Sequence, residues 1–213
     1  MASRLTRHAW TARLASLCLV LLLMIGVFPQ GAVAAGQPQE VLRGFYQVLL
    51  GNMRQGHVLG ESGRFGRLAP VVDRDFDIPA MTRLAVGASW ANLNPLEQQR
   101  LIAAFGHYVA ATYADQFDSY SGQQLQVTGE RSYGPDVIVE TKIIKSNGES
   151  TRLDYRMDQG GRILDVYLDG SISQLAVHHS EFHSILQREG VDGLVLALNR
   201  KVDLLRNVAK ASS

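Results

Sequence analysis

The sequence predicts an α+β fold in which a four-stranded antiparallel sheet is covered on one face by helices. Residues 125–169 alternate apolar and polar side chains with period two between short turns, the pattern of strands with one buried face. The segments on both sides carry apolar residues at three- and four-residue spacing, the pattern of amphipathic helices. A third observation sets the limits of the fold: basic, then apolar, then small residues open the chain, marking a leader that is not part of it.

The leader comes first. Arg4, Arg7 and Arg13 precede an uncharged run from Leu14 to Val27, and Ala32-Val33-Ala34 supplies a small-residue cleavage site. The run is short for a membrane span, so residues 1–34 are expected to be a cleaved signal peptide and 35–213 a single exported domain. Cys18 is not a lipid anchor, because Leu17 precedes it where a small residue is needed. The only cysteine leaves with the signal, so the mature chain has neither disulfide nor thiol chemistry. Three arginines and no acid leave too, taking the net charge from +1 to −2. A near-neutral chain without a basic block excludes nucleic acid as a partner and has no polybasic membrane patch.

In the mature chain, Val41, Leu42, Phe45, Val48, Leu49 and Met53 place a helix over about 40–55. Residues 56–66, with Gly60, Gly63 and Gly66, are expected to be a loop, and Leu68, Val71, Val72 and Phe76 a short helix with Pro70 in its first turn. Asp77 is expected to cap a helix that turns Met81, Leu84, Ala85, Ala88 and Trp90 inward. Asn94-Pro95-Leu96-Glu97 is a capping-box start to a long helix whose aromatic stripe runs through Phe105, Tyr108, Phe117 and Tyr120 to Gly122.

The meander follows, with Asn147-Gly148 and Gly160-Gly161 as hairpin turns. Alternation places Leu125, Val127, Val137, Val139, Thr141, Ile143, Leu153, Tyr155, Met157, Leu164, Val166 and Leu168 on one face. Arg152, Asp154, Arg156, Asp165 and Asp169 fall on the other. After Asp169-Gly170, Ile172, Leu175, Phe182 and Ile185 start another helix, and Gly190 separates it from a last one through Leu205.

No catalytic motif emerges. Asp73, Asp75 and Asp77 alternate like a calcium loop, but Ile78 and Leu84 stand where glycine and glutamate are required. His178, His179, Glu181 and His183 are the one metal-like cluster. Their order is not His-Glu-x-x-His and no distant ligand stands out, so they are read as surface histidines and no metal or cofactor is expected. Gly-x-Ser-x-Gly is absent. A pairing of Tyr108 or Tyr113 with an acid on the sheet stays open.

Several pieces in order resemble a known family: Val72-Asp73-x-x-Phe76-Asp77, Met81-x-x-Leu84-Ala85-x-Gly87-x-x-Trp90 and Phe105-x-x-Tyr108. Tyr113-Ala114-x-x-Phe117-x-x-Tyr120-x-Gly122 and Glu189-Gly190-Val191-Asp192-Gly193-Leu194 continue the match. Together they resemble the MlaC-type periplasmic lipid-binding proteins, also called the toluene-tolerance family, over about residues 40–206. The segments 60–65 and 169–175 are closer to the hopanoid-biosynthesis-associated branch named HpnM. The resemblance implies a curved antiparallel sheet and helices around an apolar cavity. It further implies a non-catalytic shuttle that carries a hopanoid or a phospholipid across the periplasm, supporting outer-membrane lipid asymmetry. Its transient partners would be an inner-membrane ABC transporter complex and an outer-membrane complex.

On the helices, the expected cavity lining is Phe76, Met81, Leu84, Trp90, Phe105, Tyr108, Val109, Tyr113, Phe117, Ile172 and Leu175. On the sheet it is Val137, Val139, Ile143, Leu153, Tyr155, Val166 and Leu168. Two other functions fit the same pattern: an enzyme in a cone-shaped α+β fold of the kind isomerases use, and a cavity-free periplasmic adaptor. A large pocket separates the adaptor from the others, and an acid buried beside a tyrosine inside it favours the enzyme.

Overall fold

Apolar spacing builds the first helix, α1 (Gln37–Arg54), which buries Leu42, Phe45, Tyr46, Leu49 and Met53 on one face. The computed structural model describes residues 36–211, with side-chain surroundings as far as Arg206; the expected signal peptide lies outside the described residues.

Residues 56–66 are not a loop. They belong to α2 (Gly56–Asp75), which bends at Gly60 (φ 59°, ψ −175°) and carries Pro70 in its interior rather than in its first turn. Two of the glycines here have other work, Gly60 supplying the positive φ of the bend. Gly56 lies so close to the backbone carbonyl of Asp118 that a Cβ would sit 1.8 Å from its oxygen. Arg64 turns inward and donates to the carbonyls of Ala114 (2.9 Å) and Gly56 (3.1 Å), which ties the bent helix to its neighbour.

Asp77 caps α3 (Ile78–Val86) by accepting from the Ala80 amide at 3.0 Å. This helix buries Ile78, Met81, Thr82, Ala85 and Val86. Leu84 and Ala88 point to solvent instead, Leu84 at 45% exposure, because they are rotated off that stripe. Trp90, in the 3-10 turn Gly87–Asn92, is half-buried. The capping box forms as expected, Asn94 Oδ1 accepting from the Glu97 amide and Glu97 Oε2 from the Asn94 amide, and it opens α4 (Pro95–Gln116). That helix ends at Phe117, short of Tyr120.

The meander is β1 (Gln124–Tyr133), β2 (Asp136–Ile144), β3 (Ser150–Met157) and β4 (Ile163–Leu168), each antiparallel to the next. A fifth strand, β5 (Ile172–Ser173), pairs with β4 where a helix start was expected. Alternation is interrupted twice. A shift between Val127 and Gly129 offsets β1, and another between Arg156 and Met157 pairs Ile163 with Met157. Ile163 is therefore fully buried, whereas Leu164, expected inward, is half-buried.

Two acids of the expected polar face are also buried. Asp154 accepts from the Thr141 amide and from Arg152 Nε (2.8 Å). Asp165 accepts from the amides of Val166 (2.7 Å) and Leu175 (3.0 Å) and from Ser173 Oγ (2.6 Å). The last helix, α5 (Gln174–Ala211), starts on that carboxylate and kinks at Gly190 (φ 65°, ψ −165°), where a break was expected. Among the described residues, no helix is long and apolar enough to cross a membrane.

Candidate ligand-binding site

One helix sets the axis of the site. Three- and four-residue steps along α4 bring Phe105, Tyr108, Val109, Thr112, Tyr113, Gln116 and Phe117 to a common face. Twelve steps of ~1.5 Å from Phe105 to Phe117 make that face about 18 Å long. Opposite stand Leu153 of β3 and Val166 and Leu168 of β4, with Leu153 and Leu168 paired in register. The first turns of α5 add Gln174, Leu175 and His178, and Phe76 and Met81 close one side. The space between them is about 170 Å³.

The lining therefore joins eleven expected residues: Phe76, Met81, Phe105, Tyr108, Val109, Tyr113, Phe117, Leu153, Val166, Leu168 and Leu175. Seven others lie elsewhere. Leu84 and Ile172 are exposed, and Trp90 lies outside the lining. Val137, Val139 and Tyr155 are buried under α1 in the filled part of the core, and half-buried Ile143 packs against that core. Sequence reasoning missed Thr112, Gln116, Asp165, Gln174 and His178, which are all polar. Searching for apolar faces passes over them, although Thr112, Gln116 and His178 share the helical spacing of their apolar neighbours.

His178 is not a surface histidine. Its ring stacks on Phe182 at 5.6 Å and meets Phe105 (5.4 Å) and Tyr108 (5.6 Å) edge-on. Its Nδ1 is buried without a hydrogen-bond partner, and burial pulls its pKa below the ordinary histidine value. His179 faces the other way, its Nδ1 3.0 Å from the Ala85 carbonyl oxygen. Its ring lies where a Cβ on Gly87 (φ 66°) would come within 2.4 Å, so that position accepts only glycine. Among the described residues, no three metal-ligating side chains converge.

Tyr113 bonds to a phenol, not to an acid: its Oη donates to Tyr155 Oη over 3.4 Å. Burial raises the pKa of both tyrosines, and it pushes Tyr46, 2.6 Å from Thr141 Oγ1, to about 12. These hydroxyls stay protonated at neutral pH. Asp165, the one acid in the lining, is held by the start of α5. The arrangement can shelter hydrocarbon and offer it a few neutral hydrogen bonds. A second groove of about 290 Å³, between α2, α3 and α4, is lined partly by the exposed Ala103 and His107 and includes no expected cavity residue.

Comparison with known proteins agrees with the fold. A family model described as MlaC protein matches residues 46–200. Among solved structures, the chain is similar to a phospholipid-binding protein from Ralstonia solanacearum, determined in complex with a phospholipid. The two are 24% identical, with a TM-score of 0.66, over 79% of this chain and 98% of that one, a likeness of fold. Comparison with curated protein sequences finds no match.

Proposed function

The chain belongs to the MlaC family, and on that premise we propose that it is a non-catalytic carrier that holds a lipid in the trough along α4 and moves it through the periplasm. The observation that carries this reading is the open apolar space between α4, α5 and the β3–β4 end of the sheet. A carrier must hide hydrocarbon from water at about 0.8 kcal/mol per methylene, on the order of 10 kcal/mol for a sixteen-carbon tail. At about 170 Å³ the space is below the ~300–1,000 Å³ typical of pockets for drug-sized ligands. The trough therefore widens as the lipid enters.

The cargo is a hopanoid or a phospholipid; the phospholipid in the Ralstonia structure supports the second, and the HpnM-like segments support the first. Residues 1–34 serve as the export signal, cleaved near Ala34, and 35–213 are the carrier. It meets an inner-membrane transporter complex and an outer-membrane complex in turn, without lasting attachment.

Native mass spectrometry of protein purified from its own host, with organic extraction, tests the proposal. The expected result is a mature chain beginning near Ala35 that carries about one extractable lipid. Protein that is lipid-free and takes up none from vesicles would end the reading.

A further inference from the structure

The trough opens between two rims. On α4, Tyr108, Thr112 and Gln116 recur every four residues and are less buried than Phe105, Val109 and Tyr113, so they edge the opening. On α5, Gln174 and His178, also four apart, edge the other side. Between the rims the lining holds no lysine or arginine, and its one acid, Asp165, is taken up by the start of α5.

Opposite charges meet where the two rims end. Glu181 follows His178 by three residues and so continues the α5 rim by one turn. After the kink at Gly190, α5 returns and brings Lys201 beside it, its Nζ donating to Glu181 Oε2 at 2.8 Å and lying 2.6 Å from Oε1. The same ammonium lies over the Tyr108 ring, 5.3 Å from its centroid. Lys201 thus touches both rims. Its side chain is 35% exposed and that of Glu181 33%, and an ion pair so open to water holds little stability of its own and is exchanged at small cost. The other end of the trough has the wrong charge for an anion. There Asp118 follows Phe117 and Asp169 follows Leu168, and Arg152, packed against Gly170, is committed to Asp154 and Glu140.

We propose that Lys201 and Glu181 form a head-group subsite at this end of the trough. It takes a zwitterionic phosphate-ester head, with the phosphate on Lys201 and the head's ammonium on Glu181. Such a head replaces one ion pair by two and leaves neither residue without a partner. An anionic head satisfies Lys201 but faces the Glu181 carboxylate. An uncharged head leaves the pair as it is and gains nothing from it. The inference deepens the carrier reading and rests on it.

The test displaces a neutral fluorescent probe, N-phenyl-1-naphthylamine, from delipidated protein with three lipids that share the same two eight-carbon chains. They are dioctanoylphosphatidylethanolamine, dioctanoylphosphatidylglycerol and dioctanoylglycerol. Lys201→Gln is expected to raise the displacing concentration of both phospholipids about fivefold and to leave that of dioctanoylglycerol unchanged. Lys201→Arg, which keeps the charge, should stay close to the parent protein. Glu181→Gln should weaken the ethanolamine lipid about fivefold and spare dioctanoylphosphatidylglycerol. O-Phosphoethanolamine, which has the head and no chains, should displace nothing. Unchanged displacement in both glutamine variants, or displacement by O-phosphoethanolamine alone, overturns the subsite while leaving the carrier intact. If none of the lipids displaces the probe and the protein takes up none from vesicles, the carrier reading falls with it.

Discussion

The two ends of the sheet present the same kind of apolar face and meet different fates. At the β2 end, Val139 and Tyr155 are fully buried beneath α1, where Phe45 and Tyr46 pack edge-on against Phe76, Tyr113 and Tyr155. At the β4 end, Leu153, Val166 and Leu168 face α4 across open space, and Leu168 is 39% exposed. The difference comes from the cover. A helix whose large side chains interdigitate with the sheet leaves no room, whereas α4 stands off from the sheet and only the start of α5 docks on β4. An apolar strand pattern therefore guarantees a covered face but not a filled one.

The largest effect expected from breaking this contrast is at Tyr155, the most voluminous of the fully buried side chains. Tyr155→Ala should lower stability by about 3–5 kcal/mol in urea denaturation, because it opens a void and removes the acceptor of the Tyr113 hydroxyl. A matched pair of insertions sharpens the comparison. Val139→Trp overpacks the filled end and should cost about 1–3 kcal/mol or more. Leu153→Trp projects into the trough and should change the stability of the lipid-free protein by less than ~1 kcal/mol while sharply reducing lipid extracted per mole. Equal destabilisation by the two tryptophans would mean that the two ends are packed alike.

Alkaline titration probes the three buried phenols of the core. Tyr46 is raised to about 12, and Tyr113 and Tyr155 are raised by burial as well. A folded-state pKa above the unfolded value of about 10 favours the folded state below that pH and loses the advantage as pH climbs past it. Stability should therefore hold up to about pH 10 and then decline, by as much as ~1.4 kcal/mol per pH unit for each phenol. Tyr46→Phe should make the decline shallower. The smallest effect is at Leu84, expected in the lining and found exposed: Leu84→Ser should shift stability by no more than about 0.5 kcal/mol and leave lipid uptake unchanged.

Local signals in the sequence determined the elements. Period-two alternation located the four long strands, and Asn94 with Glu97 located the start of α4, because each reflects geometry within a few residues. Order along the chain sufficed to show the family. Glycine content misled at residues 56–66, since glycine serves close backbone approach as well as loops, and only the packing of Gly56 on Asp118 distinguishes them. Register shifts at Gly129 and Met157 were likewise invisible, and with them the burial of Ile163. Which half of the apolar face stays open was decided by tertiary structure alone. That choice depends on how α2, α3 and α5, remote in sequence from the sheet's middle strands, hold α4 away from β3 and β4, and it is also what brings His178, Asp165 and Tyr113 into one lining.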